Sequence, residues 1–236
     1  MYRDLLGYML FIGTKEELLK EILSKDRVNI ISGNPEVLYN GLIDEKLRKS
    51  FLEEDALIIP DGVGSLLASG VSIKEKIAGI EVMDMLLEYA EKSGLKVYLL
   101  GAKYESLFKC KKNIEKKFRG INIAGINDGF FDIKNCENII NKINYSKADI
   151  IFVAMGSPRQ EFFIETYKDK LCCKILMGVG GSFDVISGNI KRAPNFMINM
   201  GMEWLYRFFK EPWRIKKLLV IFKFLYISSR DKVRKI

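Results

Sequence analysis

No histidine occurs anywhere in the 236 residues. That absence excludes hydrolases built on an imidazole base, His-ligated zinc sites and imidazole acid–base chemistry in general. Catalysis, if there is any, must run on carboxylates and fixed cations. Cysteine is scarce as well. Cys110, Cys136, Cys172 and Cys173 have no zinc-type spacing, which fits a reduced cytosolic chain better than a disulfide scaffold. No basic flank followed by an apolar run and a small-residue cleavage site opens the chain, so no signal peptide is expected. The longest late apolar run, 218–227, is broken by Lys223 and is too short to span a bilayer. The familiar phosphate loops are missing too. There is no Walker loop, and Gly178-Val179-Gly180-Gly181-Ser182-Phe183 has Phe183 where a dinucleotide fingerprint needs its third glycine. No Asp-x-Asp occurs. The nearest acidic run, Glu53-Glu54-Asp55, precedes a strand rather than ending one, so a carboxylate-held metal is not expected.

What is present is a regular alternation. Apolar, β-rich runs at 28–31, 56–59, 97–100, 121–123, 150–153 and 174–177 read as strands. Stretches 36–49, 82–93, 103–119 and 159–170 carry apolar residues at helical spacing. The pattern predicts an α/β fold with a mostly parallel, doubly wound sheet. Most of the strands end in polar or glycine-rich loops: Ser32-Gly33-Asn34-Pro35, Pro60-Asp61-Gly62, Gly101-Ala102, Gly156-Ser157-Pro158 and Gly178-Val179-Gly180-Gly181. Ligands of open α/β sheets bind outside the carboxyl ends of the strands, so these five loops are expected to share one rim.

Several residues in these loops carry two readings. Asp61, at a strand end beside Gly62, is placed for a general base, or equally for capping the helix that follows. Asn34 reads as a helix cap with Pro35 in the first turn, a role that leaves Ser32 and Asn34 able to contact a ligand. Gly156 to Glu161 opens a helix whose amides favour an anion, and Gln160 there faces the crevice or, on spacing alone, solvent. The segment 179–194 adds Asp184 and the cation pair Lys191-Arg192, which suits a phosphate-bearing substrate.

From Arg207 onward ten Lys/Arg face two acids, a net +8 equal to that of the whole chain. Phe208, Phe209, Trp213, Phe222, Phe224 and Tyr226 are interleaved with them. Ile215, Leu218, Leu219, Phe222 and Tyr226 fit one helical stripe, with Ile221 and Phe224 off it. The bland reading is a terminal helix packed on the domain with a solvated charged face. Aromatics beside the charge favour contact with an anionic membrane surface. A nucleic-acid-binding protein is the competing class, but it predicts cations spread over several elements and no converging loops.

Taken together, Ser32 to Glu36, Pro60-Asp61-Gly62-Val63-Gly64, Glu75-Lys76-Ile77-Ala78-Gly79, Gly156 to Glu161, Gly178 to Pro194, and Gly201 to Arg207 continuing to Glu211-Pro212-Trp213-Arg214 resemble the WecG/TagA/CpsF family, glycosyltransferase family 26. The resemblance covers nearly the whole chain. It implies a Rossmann-like catalytic domain over 1–195 and a basic, aromatic-rich, membrane-docking appendage over 196–236. The implied reaction is inverting, metal-independent and free of cofactors: N-acetylmannosamine moves from UDP to the GlcNAc of a polyprenyl-diphosphate-linked acceptor, as in teichoic acid linkage-unit synthesis. A different UDP-sugar, such as the uronic acid form or a UDP-hexose, is the alternative donor. In family terms Asp61 matches the base, Ser32 a position usually threonine, Lys76 a position usually arginine, and Gln160 a pocket glutamine. Lys76 offers a point charge without the arginine fork. Phe130 sits where an aromatic stacks on uracil and Asp184 where ribose hydroxyls are held, while Arg207, Arg214 and Lys217 meet the donor diphosphate. The implied location is peripheral, on the cytoplasmic face of the plasma membrane, without nucleic acid and with a homo-oligomer left open.

Overall fold

The computed structural model describes residues 2–70, 72, 77–194, 197–198, 205–206 and 215–234. The chain begins with β1 (Tyr2–Leu5), β2 (Tyr8–Phe11), α1 (Lys15–Ser24), β3 (Val28–Ser32), α2 (Pro35–Ile43), α3 (Glu45–Ser50), β4 (Ala56–Ile59) and α4 (Val63–Ser69). It continues with α5 (Gly79–Ser93), β5 (Lys96–Gly101), α6 (Tyr104–Lys117), β6 (Asn122–Asn127), α7 (Glu137–Ser146) and β7 (Ile150–Ala154). Then come α8 (Arg159–Tyr167), β8 (Ile175–Gly178), α9 (Ser182–Ile186) and α10 (Ile215–Arg234). Among the described strands only β1 pairs antiparallel alone; the other seven each have a parallel neighbour. The mixed α/β, mostly parallel fold expected from the alternation is therefore present. The chain divides into two compact units, one of residues 1–18, 31–78 and 192–236, the other of residues 19–30 and 79–191.

In the first unit β1 and β2 form a hairpin with Tyr2 opposite Phe11 and Leu5 opposite Tyr8. Leu6 and Gly7 turn it, both at positive φ, the pattern of a type I′ turn. β2 then runs parallel to β4. Leu10, Leu38, Leu47, Leu57 and Ile59 are fully buried, and Tyr8 meets Phe51 with ring centroids 6.0 Å apart. The helix expected over 36–49 is two helices. Asp44 is extended, ends α2 by donating its N–H to Asn40, and caps α3 by accepting from the Leu47 N–H at 3.0 Å.

α10 packs against α2 and α4. Phe224 and Ser228, one turn apart, are its buried positions among those described, whereas Leu219, Phe222 and Tyr226 are 62%, 65% and 61% exposed. Leu219, Phe222 and Tyr226 of the helical stripe read from the sequence thus form an outer face, and Phe224, which lies off the stripe, is the anchor. The outer stripe also carries Lys223 and Arg230, both exposed. Among the described residues no helix is long and apolar enough to cross a membrane.

In the second unit five parallel strands follow the order β3-β8-β7-β5-β6. Tyr98, Leu100, Ile151, Val153 and Leu176 pack with Ile139, Ile140, Ile143, Phe163 and Ile164 of α7 and α8. Strand residues alternate faces, so Val97 and Leu99 look the other way, toward the side covered by α5 and α6. Helices on both faces leave the carboxyl ends of the strands as the open rim.

Candidate active site

In the first unit, the loops after β3 and β4 lie against each other because glycine lets them. The Gly33 N–H donates to the Ile59 carbonyl at 2.9 Å. A Cβ on Gly33 would stand 2.6 Å from Ile58 Cγ2 and 2.7 Å from the Ile59 carbonyl oxygen, and one on Gly64 would stand 2.6 Å from Pro35 Cγ. Gly62, at φ +89°, makes the turn into α4. Ser32, Asn34 and Asp61 are thereby brought together on two adjoining loops.

Gly62 is the cap residue of α4 and has no side chain to cap it with. Asp61, half-buried, stands one residue before that cap at the strand end. Ser65 Oγ donates to the backbone carbonyls of Gly62 (2.9 Å) and Asp61 (3.2 Å), which steadies the turn through the main chain alone. Asn34 does cap, as expected: its Oδ1 accepts from the Glu36 and Val37 amides, each at 3.1 Å, with Pro35 in the first turn. A ligand contact by Asn34 would therefore fall to its amide nitrogen. Ser32 is buried at the end of β3.

In the second unit a cavity of about 580 Å³ opens at the carboxyl ends of β5, β6 and β7, lined by Ala102, Gly129, Phe130, Phe131, Asp132, Ala154, Met155 and Arg159. Its floor depends on backbone approach. The Ala102 amide donates to Ala154, and the Gly129 amide to Ala102. Phe130 is 73% exposed, whereas its neighbour Phe131 turns inward, edge-on to Phe163 at 6.0 Å. Arg159, the first residue of α8, sends Nη2 to the carbonyls of Gly129 (3.1 Å) and Phe131. Asp132 closes a 3-10 turn on the cavity wall. Its carboxyl is held below the ordinary range first by the Lys134 amide, next by the Asn135 side chain, with Arg159 a smaller contributor. Nothing in the spacing marks Phe131, Met155 or Arg159. The one local signal is a cation at a helix start, where the dipole disfavours positive charge.

Gln160 faces neither solvent nor the cavity. It is 3% exposed; its Oε1 accepts from the Gly180 amide at 3.0 Å and its Nε2 donates to Glu161 at 2.8 Å. It clasps the start of α8 to the glycine turn after β8, where a Cβ on Gly178 would meet Nε2 at 2.6 Å. Asp184 lies on α9, which packs on α6. Burial, with the Asp184 charge second, pushes the Cys110 thiol of α6 up to about 12. Neither Asp184 nor Gln160 lines the cavity that Phe130 lines. Lys191 is exposed and Arg192 half-buried. Lys76, Arg207 and Arg214 lie outside the described residues, as does the side chain of Lys217. Among the described residues no group of His, Cys, Asp and Glu could hold a metal ion.

A carboxylate loop at a strand end in one unit, and an aromatic cavity at strand ends in the other, are features of a ligand-handling α/β protein. The model of the glycosyl transferase WecG/TagA/CpsF family matches residues 3–236, and the chain belongs to that family. Three relatives share one name, N-acetylglucosaminyldiphosphoundecaprenol N-acetyl-beta-D-mannosaminyltransferase. The chain is 35% identical to the Bacillus spizizenii protein over 83% of its own length and 76% of the relative's. It is 35% identical to that of Bacillus subtilis over 86% and 79%, and 33% identical to that of Staphylococcus aureus over 90% and 84%.

Proposed function

We propose that this chain transfers N-acetylmannosamine from UDP-N-acetylmannosamine to the GlcNAc of undecaprenyl-diphosphate-GlcNAc, with inversion and without a metal. The observation that carries the reading is the single shared name of relatives aligned over more than four-fifths of the chain. In the reaction the acceptor hydroxyl oxygen bonds to the anomeric carbon while the bond from that carbon to the UDP oxygen breaks. The hydroxyl proton passes to Asp61, and UDP leaves with the electron pair. Its charge is met by fixed cations, for which Lys76, Lys191, Arg192, Arg207, Arg214 and Lys217 are the candidates. Phe130 stacks on the uracil, Asp184 takes the ribose hydroxyls, Ser32 and Asn34 orient substrate, and Gln160 contributes by holding the Gly180 turn.

Residues 1–195 are assigned to catalysis and 196–236 to docking on the cytoplasmic face of the plasma membrane. Support for docking comes from the exposed Leu219, Phe222 and Tyr226 beside Lys223 and Arg230 on α10. The protein should float with vesicles containing anionic lipid and be released as salt rises, since each surface cation contributes on the order of 1 kcal/mol and is screened. Leu219→Ser/Phe222→Ser/Tyr226→Ser should abolish flotation; retention by this variant would remove α10 from the contact.

The chemistry is tested with a synthetic polyprenyl-diphosphate-GlcNAc acceptor in EDTA, offered several UDP-sugars, with products read by mass spectrometry. The expected result is an added N-acetylhexosamine from UDP-N-acetylmannosamine at the metal-replete rate. Turnover only with another UDP-sugar overturns the donor assignment, and loss in EDTA restored by Mg²⁺ overturns metal independence.

A further inference from the structure

The 129–131 loop is held in an unusual way. One guanidinium nitrogen of Arg159 donates to the carbonyls of both Gly129 and Phe131, the first just before Phe130 and the second two residues further along. Carbonyls two residues apart can reach a common donor only if the chain between them bends, and Phe130 lies within that bend. Its own N–H donates to Asp128 Oδ1 at 2.9 Å, so three hydrogen bonds hold the loop around this residue. The same guanidinium lies 5.6 Å from the Phe131 ring, which packs inward against Phe163. Phe131 is thus the buried peg and Phe130 the presented ring. A large apolar ring left 73% exposed on an immobilised backbone stabilises nothing in the free protein. A cation at the first position of α8 likewise works against the helix dipole. A local rule is thus broken beside the loop that presents this ring, the pattern expected where function overrides stability.

We propose that Arg159 is a positioning residue for the nucleotide base: it sets the bend that presents Phe130 as a stacking surface to the cavity, without itself touching the ligand. The inference rests on the reading of Phe130 as the uracil platform. A lysine could supply charge here but not the planar guanidinium that lies over the Phe131 ring while it donates. Asp132 lies on the same cavity wall.

The test is UDP affinity by calorimetry, with donor KM and kcat, for Phe130→Ala, Arg159→Met, Arg159→Lys and the double variant Phe130→Ala/Arg159→Met. Methionine keeps the stem that covers Phe131 and removes the donors. Phe130→Ala should weaken UDP about tenfold, within the range of one base–aromatic stack. Arg159→Met should weaken it similarly, raising donor KM while kcat at saturating donor stays within about twofold, and Arg159→Lys should fall between. The double variant should bind no worse than Phe130→Ala alone, because both changes act through one ring. Wild-type affinity in Phe130→Ala overturns the platform reading, and the proposal with it. A weakened Phe130→Ala beside an unaffected Arg159→Met overturns the positioning role alone, as does an additive loss in the double variant. If Arg159→Met does not fold, Arg159→Lys reads the same quantity, and wild-type affinity in it counts against the proposal.

Discussion

Replacing Asp61 by asparagine should lower transfer to the lipid-linked acceptor by about 10²- to 10⁴-fold, the usual contribution of a general base. Asparagine matches aspartate in shape and keeps one acceptor oxygen, but it cannot take a proton. α4 is capped at Gly62, and Ser65 holds the turn through the backbone oxygens of residues 61 and 62 rather than through the Asp61 side chain. A catalytic carboxylate predicts that thermal denaturation of Asp61→Asn follows wild type while turnover collapses. Activity within a few-fold of wild type would take the proton-accepting role away from Asp61; a matching collapse in stability would make it a structural carboxylate.

The second large effect concerns Gly101, the last residue of β5. It adopts φ +125°, and a Cβ there would stand 2.3 Å from the Ala154 carbonyl oxygen and 2.8 Å from Ala154 Cα. The obstructing atoms are backbone of the neighbouring strand β7 and cannot rotate aside. Gly101→Ala adds backbone strain to overpacking, together about 3 kcal/mol or more. For a chain of this size the melting temperature should drop by roughly 6–12 °C. Gly180→Ala is the control, since Gly180 also has positive φ but no atom within 4 Å of the point an added Cβ would occupy. Its loss should be limited to the left-handed penalty of about 1–2 kcal/mol. Equal melting temperatures for the two variants would show that β5 and β7 can part at this point. The same Gly101→Ala should impair UDP binding, because Gly129 rests on Gly101 and Ala102 at the cavity floor.

Much of this architecture is legible in the residues themselves. Strands β3, β4, β5, β7 and β8 declare themselves as apolar runs closed by glycine or polar turns, because buried parallel strands need apolar residues on both faces; β6, an edge strand, shows only as a short run. The N-terminal hairpin does not. Its turn is Leu6-Gly7 rather than Asn-Gly, so its sign is a positive φ that only coordinates reveal. α7 hides for a different reason: Asn138, Asn141 and Asn144 dilute helix propensity, and its helical state rests on packing Ile139, Ile140 and Ile143 into the core. At the site, Ser32, Asn34 and Asp61 stand out because each sits at a strand end beside glycine. The cavity wall is less visible. Ala102, Gly129 and Ala154 contribute mainly backbone, and their meeting depends on strand order, which one sequence does not encode locally. Gln160 misleads because a first-turn polar residue usually meets water, whereas here the Gly180 amide recruits it.

The first unit is assembled from three stretches far apart along the chain, and its last stretch brings α10 onto α2 and α4. During synthesis these two helices leave the ribosome some 150 residues ahead of their partner, a lag of about 10–30 s at ordinary elongation rates. The second unit, by contrast, has all its strands by residue 178. A nascent chain therefore carries one unit with every strand synthesised and another lacking a helix until translation is almost over. Over that interval the surface that will receive Phe224 has no cover from its own chain. A chaperone that binds apolar surface has a defined window in which to act, and a premature stop before residue 215 makes that window permanent.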